Sequence, residues 1–118
     1  MKKVLVLDDD PDIATVVKMI LDNNGYKSRC ITNHRKLQET LVSYEPIILI
    51  LDISLGGVDG RDLCKKIKET DYGDRIRVIL FSANHDASKH YKDYKADAFI
   101  QKPFDTKHLI KTVESLSA

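Results

Sequence analysis

Pro46-Ile47-Ile48-Leu49-Ile50-Leu51-Asp52-Ile53-Ser54-Leu55-Gly56-Gly57-Val58-Asp59-Gly60 holds the most apolar run of the chain and ends it on a carboxylate. An unbroken apolar run between a proline and a glycine loop reads as a strand buried on both faces, as in a parallel sheet. An acid at the C-terminal end of such a strand lies on the edge where open α/β sheets bind ligands. Val4-Leu5-Val6-Leu7 ends in the same way, in Asp8-Asp9-Asp10. Two buried strands that bring acids to one edge suggest a cation site with a reactive carboxylate.

Outward from these two strands, strand-like and helix-like stretches alternate. Asp10 is a good N-cap and Pro11 suits the first helical position. Ile13, Val16, Val17, Ile20 and Leu21 then follow the spacing of one helical face, and Asn23-Asn24-Gly25 stops it. Lys27–Ile31 reads as a short edge strand and His34–Tyr44 as a helix with Leu37, Leu41 and Tyr44 inward. A helix opens at Asp59 or Gly60 and packs through Leu63, Cys64 and Ile67. Arg77–Phe81 is a fourth strand that closes on Ser82. His85–Tyr94 is predicted as a marginal helix with Ala87, Tyr91 and Tyr94 able to face a core. Ala98–Gln101 is a fifth strand, and Asp105–Leu116 a last helix with Leu109, Ile110, Val113 and Leu116 inward. Five such units predict a doubly wound α/β fold: a five-stranded parallel sheet in the order 2-1-3-4-5, with helices on both faces.

At 118 residues the chain fits a single domain, residues 1–118. With 19 basic and 18 acidic side chains the net charge is +1, so no bulk field draws it to nucleic acid or a membrane. The expectation is a cytoplasmic protein without a leader or membrane span, whose Cys30 and Cys64 are buried, reduced thiols. DNA binding by these residues is not expected, because no basic recognition helix is left over. The basic stretch Lys89, His90, Lys92 and Lys95 reads as a solvated face.

The predicted order gathers Asp8, Asp9, Asp52, Ser82 and Lys102 on one sheet edge. Clustered carboxylates repel unless a cation neutralises them, and an all-oxygen set suits Mg2+ better than Zn2+. Three negative charges against Mg2+ and the Lys102 ammonium sum to zero. Such a site can still clamp an incoming phosphoryl oxygen, and an ionised aspartate can attack phosphorus.

At these residues the chain resembles, over nearly its whole length, the receiver domains of two-component response regulators. Val6-Leu7-Asp8-Asp9-Asp10-Pro11, Leu51-Asp52-Ile53-Ser54-Leu55, Val58-Asp59-Gly60, Phe81-Ser82-Ala83 and Phe99-Ile100-Gln101-Lys102-Pro103-Phe104 arrive in the family's order. The resemblance implies that Asp52 is the phosphoacceptor for a histidine kinase or histidine phosphotransfer protein. It implies Mg2+ held by Asp8, Asp9, Asp52 and the backbone carbonyl of Ser54, with Asp8 acting through water. Ser82 and Lys102 would hold the phosphoryl oxygens, Ser82 and Phe99 would form the switch, and the Lys102–Pro103 bond would be cis. A downstream protein would read the face made by the fourth helix, fifth strand and last helix. The kinase would dock near Ile13-Ala14 and the Pro103-Phe104 loop. A monomer or a phosphorylation-dependent dimer fits this reading, and turnover is confined to the domain's own phosphorylation and slow dephosphorylation.

Three positions depart from the family pattern. Gly56 stands where a proline is usual and is followed by Gly57, Phe99 lacks a tyrosine's hydroxyl, and Lys95 replaces a glycine before the fifth strand. Three rival functions remain. A receiver-fold module could signal without phosphorylation, although the intact acid, serine and lysine set argues against it. An Asp-nucleophile phosphatase of the haloacid-dehalogenase type needs a second acid where Ser54 stands. A flavodoxin-like FMN binder would meet repulsion from Asp8-Asp9-Asp10 at its phosphate loop.

Overall fold

Two sets of side chains, alternating along each central strand, divide the core into two layers. The computed structural model describes residues 1–117. β1 (Lys3–Leu7), β3 (Ile48–Asp52) and β4 (Arg77–Ser82) form the centre of the sheet, with β2 (Lys27–Ile31) and β5 (Ala98–Gln101) at its edges. All pairings are parallel, in the predicted order β2-β1-β3-β4-β5. Val4, Val6, Ile48, Ile50, Ile79 and Phe81 pack with α1 (Pro11–Asn23) and α4 (Thr106–Ser117). Leu5, Leu7, Leu49, Leu51, Val78 and Leu80 pack with α2 (Leu37–Tyr44) and α3 (Gly60–Lys68) on the other face. Since both faces are covered, a central strand needs apolar residues at every position, which is why β3 reads as an unbroken run.

Short polar caps start the crossovers. Asp10, Asn33, Asp59 and Asn84 each accept a hydrogen bond from the backbone N–H two residues on. Asp10 thus caps α1, as its sequence context predicts.

Several expectations need correction. His34–Lys36 is a single 3-10 turn, so α2 begins only at Leu37. His85–Tyr94 is not an α-helix but two 3-10 segments, His85–Lys89 and Tyr91–Tyr94. Ala87 is buried, Tyr91 and Tyr94 are only half-buried, and little apolar area rewards a 3.6-residue repeat. A 3-10 turn suffices to put Tyr91 and Tyr94, three residues apart, on one side. Lys95 ends this stretch at φ 64° and ψ 20°, a left-handed conformation uncommon for a side-chain-bearing residue.

On α1 the buried stripe is Ala14, Val17 and Leu21, whereas Val16 is 49% exposed and faces outward. Ala14, expected at a docking surface, is fully buried and offers nothing to a partner. Cys64 is buried, and desolvation pushes its thiol up to about 12. Cys30 is only half-buried, because β2 is an edge strand; both cysteines are free thiols. No described helix is long and apolar enough to cross a membrane.

Candidate functional site

Register brings the acids together. Leu7 of β1 lies opposite Leu51 of β3, so the next residues on the two chains are Asp8 and Asp52. The crossover after β1 turns outward to β2 and the one after β3 turns the other way to β4, which opens a crevice at this switch point. Asp8 and Asp52 are 2% and 5% exposed, deep in the crevice, while Asp9 is exposed at its mouth. Oxygens of all three carboxylates lie within 4.8 Å of one another.

Local backbone bonds fix two of these acids. Asp8 Oδ1 accepts from the N–H of Asp10 at 2.9 Å, and Asp52 Oδ1 accepts from the N–H of Ser54 at 3.3 Å. The loop after β3 folds back through a bridge between Ser54 and Asp59, and the N–H of Gly60 donates to the Ile53 carbonyl at 2.7 Å. This close return requires glycine. A Cβ at Gly60 would lie 2.1 Å from the Asp52 carbonyl oxygen.

Lys102 enters from the end of β5, and its ammonium is 2.9 Å from Asp8 Oδ2 and 3.5 Å from Asp52 Oδ2. It also stands 4.7 Å from the ring centre of Phe81, which meets Phe104 edge-on. The Lys102–Pro103 bond is cis. Burial, followed by the charge of Asp8, pushes the Asp52 carboxyl up to about 6, partly offset by Lys102. Buried acids that disfavour one another, with hard oxygen donors, fit a Mg2+-like cation.

Ser82 ends β4 and is 4% exposed; its hydroxyl accepts from the Asn84 N–H at 3.0 Å. A groove of about 400 Å³ opens beside it, lined by Ser54, Gly56, Gly57, Arg61 and Asn84 among others. Asp8, Asp9, Asp52, Ser82 and Lys102 therefore share one edge, as predicted. Phe99 is in register with Leu80 one level below; its half-buried ring stacks on Tyr91 with centroids 6.3 Å apart.

One residue escaped the sequence reading. Arg61 binds the Asp59 carboxylate through Nε and a terminal nitrogen at 2.7–3.2 Å and lies 5.2 Å from the Tyr94 ring centre. The guanidinium holds Asp59 below the usual carboxylate range. It joins the loop after β3 to the second 3-10 segment. The tripeptide Asp59-Gly60-Arg61 looks like an ordinary helix start, and nothing local points to Tyr94.

Residues 4–114 match the response regulator receiver domain family. The chain is 29% identical over 118 residues to the DNA-binding dual master transcriptional regulator RpaA of Synechocystis sp., covering 98% of this chain and 49% of that protein. It thus spans about half the length of that curated relative. The receiver domain of NtrX from Brucella abortus is 28% identical, with a TM-score of 0.87 over 96% of each chain. The chemotaxis response regulator CheY4 of Vibrio cholerae shares the fold, with a TM-score of 0.89 over 98% of each chain at 21% identity.

Proposed function

Because the chain belongs to the response regulator receiver domain family, we propose that it is a phospho-receiver in which Asp52 takes a phosphoryl group from a histidine kinase or histidine phosphotransfer protein. The observation that carries this is the buried Asp52 carboxylate, clustered with Asp8 and Asp9, facing Lys102 and flanked by Ser82. Receiver domains are signalling modules, and self-phosphorylation with slow self-dephosphorylation is the only chemistry assigned to this one.

Asp8, Asp9, Asp52 and the backbone carbonyl of Ser54 would hold Mg2+, with Asp8 acting through water. When bound, Mg2+ offsets the acids' charge and polarises phosphoryl oxygens. The residues themselves do the rest. An Asp52 oxygen attacks phosphorus, the P–N bond to the donor histidine breaks, and the imidazole leaves with the bonding pair. Lys102 moves its charge from Asp8 toward the new phosphoryl oxygens, and the Ser82 hydroxyl donates to one of them.

Ser82 then draws β4 and its following loop toward Asp52. Phe99, without a hydroxyl, responds by repacking against Tyr91, which changes the face of the 3-10 segments, β5 and α4 that a downstream protein reads. The phosphodonor docks near Ile13 and the Pro103-Phe104 loop; α1 also exposes Val16 and Met19, at 49% and 58%. Residues 1–118 act as one receiver unit in the cytoplasm, monomeric or dimerising on phosphorylation, alone or within a longer regulator. Nucleic-acid and membrane contacts are not assigned to this unit.

Intact mass after incubation with Mg2+ and acetyl phosphate tests the reading. A phosphoryl adduct in wild type that vanishes in Asp52→Asn supports it. No adduct, or one that persists in Asp52→Asn, refutes it.

A further inference from the structure

The face covered by α2 and α3 carries a second feature, away from the acids. A trough runs along α2, walled by α3 at one end and by residues 72–76 at the other. Gln38, Leu41 and Val42 of α2 form one wall, at the i, i+3, i+4 spacing of a single helical face, with the C-cap Glu45 at its end. Leu63, Lys66 and Ile67 of α3 repeat that spacing on the opposite wall, with Thr70 just past the helix end. Two hollows, of about 300 and 240 Å³, adjoin at Leu41 and Tyr72, which line both; the smaller lies between α2 and α3, the larger between the end of α2 and residues 72–76. Its floor is apolar: Leu41, Ile67 and Ile76 are each at most 5% exposed, and Val42 stands 59% exposed on the wall.

Charge tells what would cover it. Arg35 and Lys66 line one hollow, whose lining holds no acid, and Arg75 lines the other together with Glu45. Among the described residues, none of these three cations is in an ion pair within the chain. A polyanion such as nucleic acid would leave the apolar floor uncovered. Two facing helical ridges suit a third helix lying between them, with apolar side chains at helical spacing.

We propose that the α2–α3 trough docks an amphipathic helix of a partner protein whose apolar stripe is flanked by aspartates or glutamates. This surface is independent of the phosphoacceptor reading, so failure of either leaves the other standing. The apolar side chains fill the hollows over Leu41, Ile67 and Tyr72. The flanking acids meet Arg35, Lys66 and Arg75 at the rim, where charge selects partners more than it adds affinity.

The test is an NMR titration of the 15N-labelled chain with a synthetic helical peptide carrying leucines at i, i+4, i+7 and i+11 and glutamates on both flanks. Matched controls are the same peptide with lysine flanks and a short single-stranded oligonucleotide. The expected result is saturable shifts at residues 35–45 and 63–76, at least tenfold weaker with the lysine peptide. Preference should reverse in the surface variant Arg35→Glu/Lys66→Glu. Val42→Asp, at an exposed position, should weaken binding of the glutamate peptide without loss of fold. Absence of shifts there up to about 1 mM peptide, equal binding of both peptides, or tighter oligonucleotide binding in the trough would each overturn the proposal.

Discussion

Lys102 is bonded to Asp8 more closely than to Asp52, at 2.9 Å against 3.5 Å, although the two residues of the closer pair are 94 positions apart in the chain. The ammonium therefore rests on a proposed metal ligand and competes with a cation for it. Lys102→Met should bind Mg2+ about tenfold more tightly, a change of about 1.4 kcal/mol, as measured by isothermal titration calorimetry. Yet its labelling by acetyl phosphate should be slower, because no ammonium follows the phosphoryl group. Unchanged or weaker Mg2+ affinity would show that Lys102 does not hold Asp8 in solution.

The raised carboxyl of Asp52 makes a signed statement about stability. Its folded value, about 6, lies above the ordinary 3.8. Between those values the folded chain binds the proton that the unfolded chain has released, so this group's contribution falls as pH rises from about 4 to about 6. Two units correspond to about 3 kcal/mol. Without divalent cations, Asp52→Asn should match wild type near pH 4 and exceed it by up to about 3 kcal/mol at pH 7. Urea denaturation of both proteins across that window is the check; a difference that does not vary with pH contradicts it.

Gly60 is a steric requirement of the end of β3, which carries the proposed phosphoacceptor. An added methyl would overlap the Asp52 carbonyl oxygen and lie 2.9 Å from Ile53 Cα, both rigid backbone. Gly60→Ala should cost about 3 kcal/mol or more, at the upper end for overpacking. It should also slow phosphorylation by shifting the end of β3. Stability close to wild type in thermal unfolding would show that the loop yields at no cost.

At the far end of the sheet, Lys68 clips three elements together. Its ammonium meets Asp97 Oδ2 at 2.8 Å and the Ile76 carbonyl at 2.6 Å, while the same carboxylate oxygen accepts from the Val78 N–H at 2.8 Å. The pair is largely buried, with side chains 11% and 20% exposed. Asp97→Ala should cost about 3 kcal/mol by leaving Lys68 uncompensated. Lys68→Met/Asp97→Ala should cost less than the two single changes added together. Additive losses in denaturant titrations would remove the coupling, and acetyl phosphate labelling of Asp52 should be unaffected throughout.

Much of the site was legible because its signals are local. Buried strands appear as apolar runs, and the residues that end them, Asp8, Asp52 and Ser82, follow directly. Lys102 became readable only through its place after the fifth strand. Val16 was misplaced because 3.6-residue spacing defines a stripe but not its centre, and the sheet chose Ala14, Val17 and Leu21. His85–Tyr94 was misread for a related reason: with so little apolar area to bury, local pattern does not separate an α-helix from 3-10 turns.

Residue type and spacing by themselves determined the parallel α/β sheet and the acids that end its buried strands, because burial on both faces leaves a continuous apolar signature. The order 2-1-3-4-5 rested on the precedent of doubly wound folds. Tertiary structure alone decided which acid holds Lys102, that Arg61 reaches Tyr94, and that Phe99 stacks on Tyr91. Those choices depend on ångström differences between side chains brought together from distant segments. Periodicity carries no record of such distances.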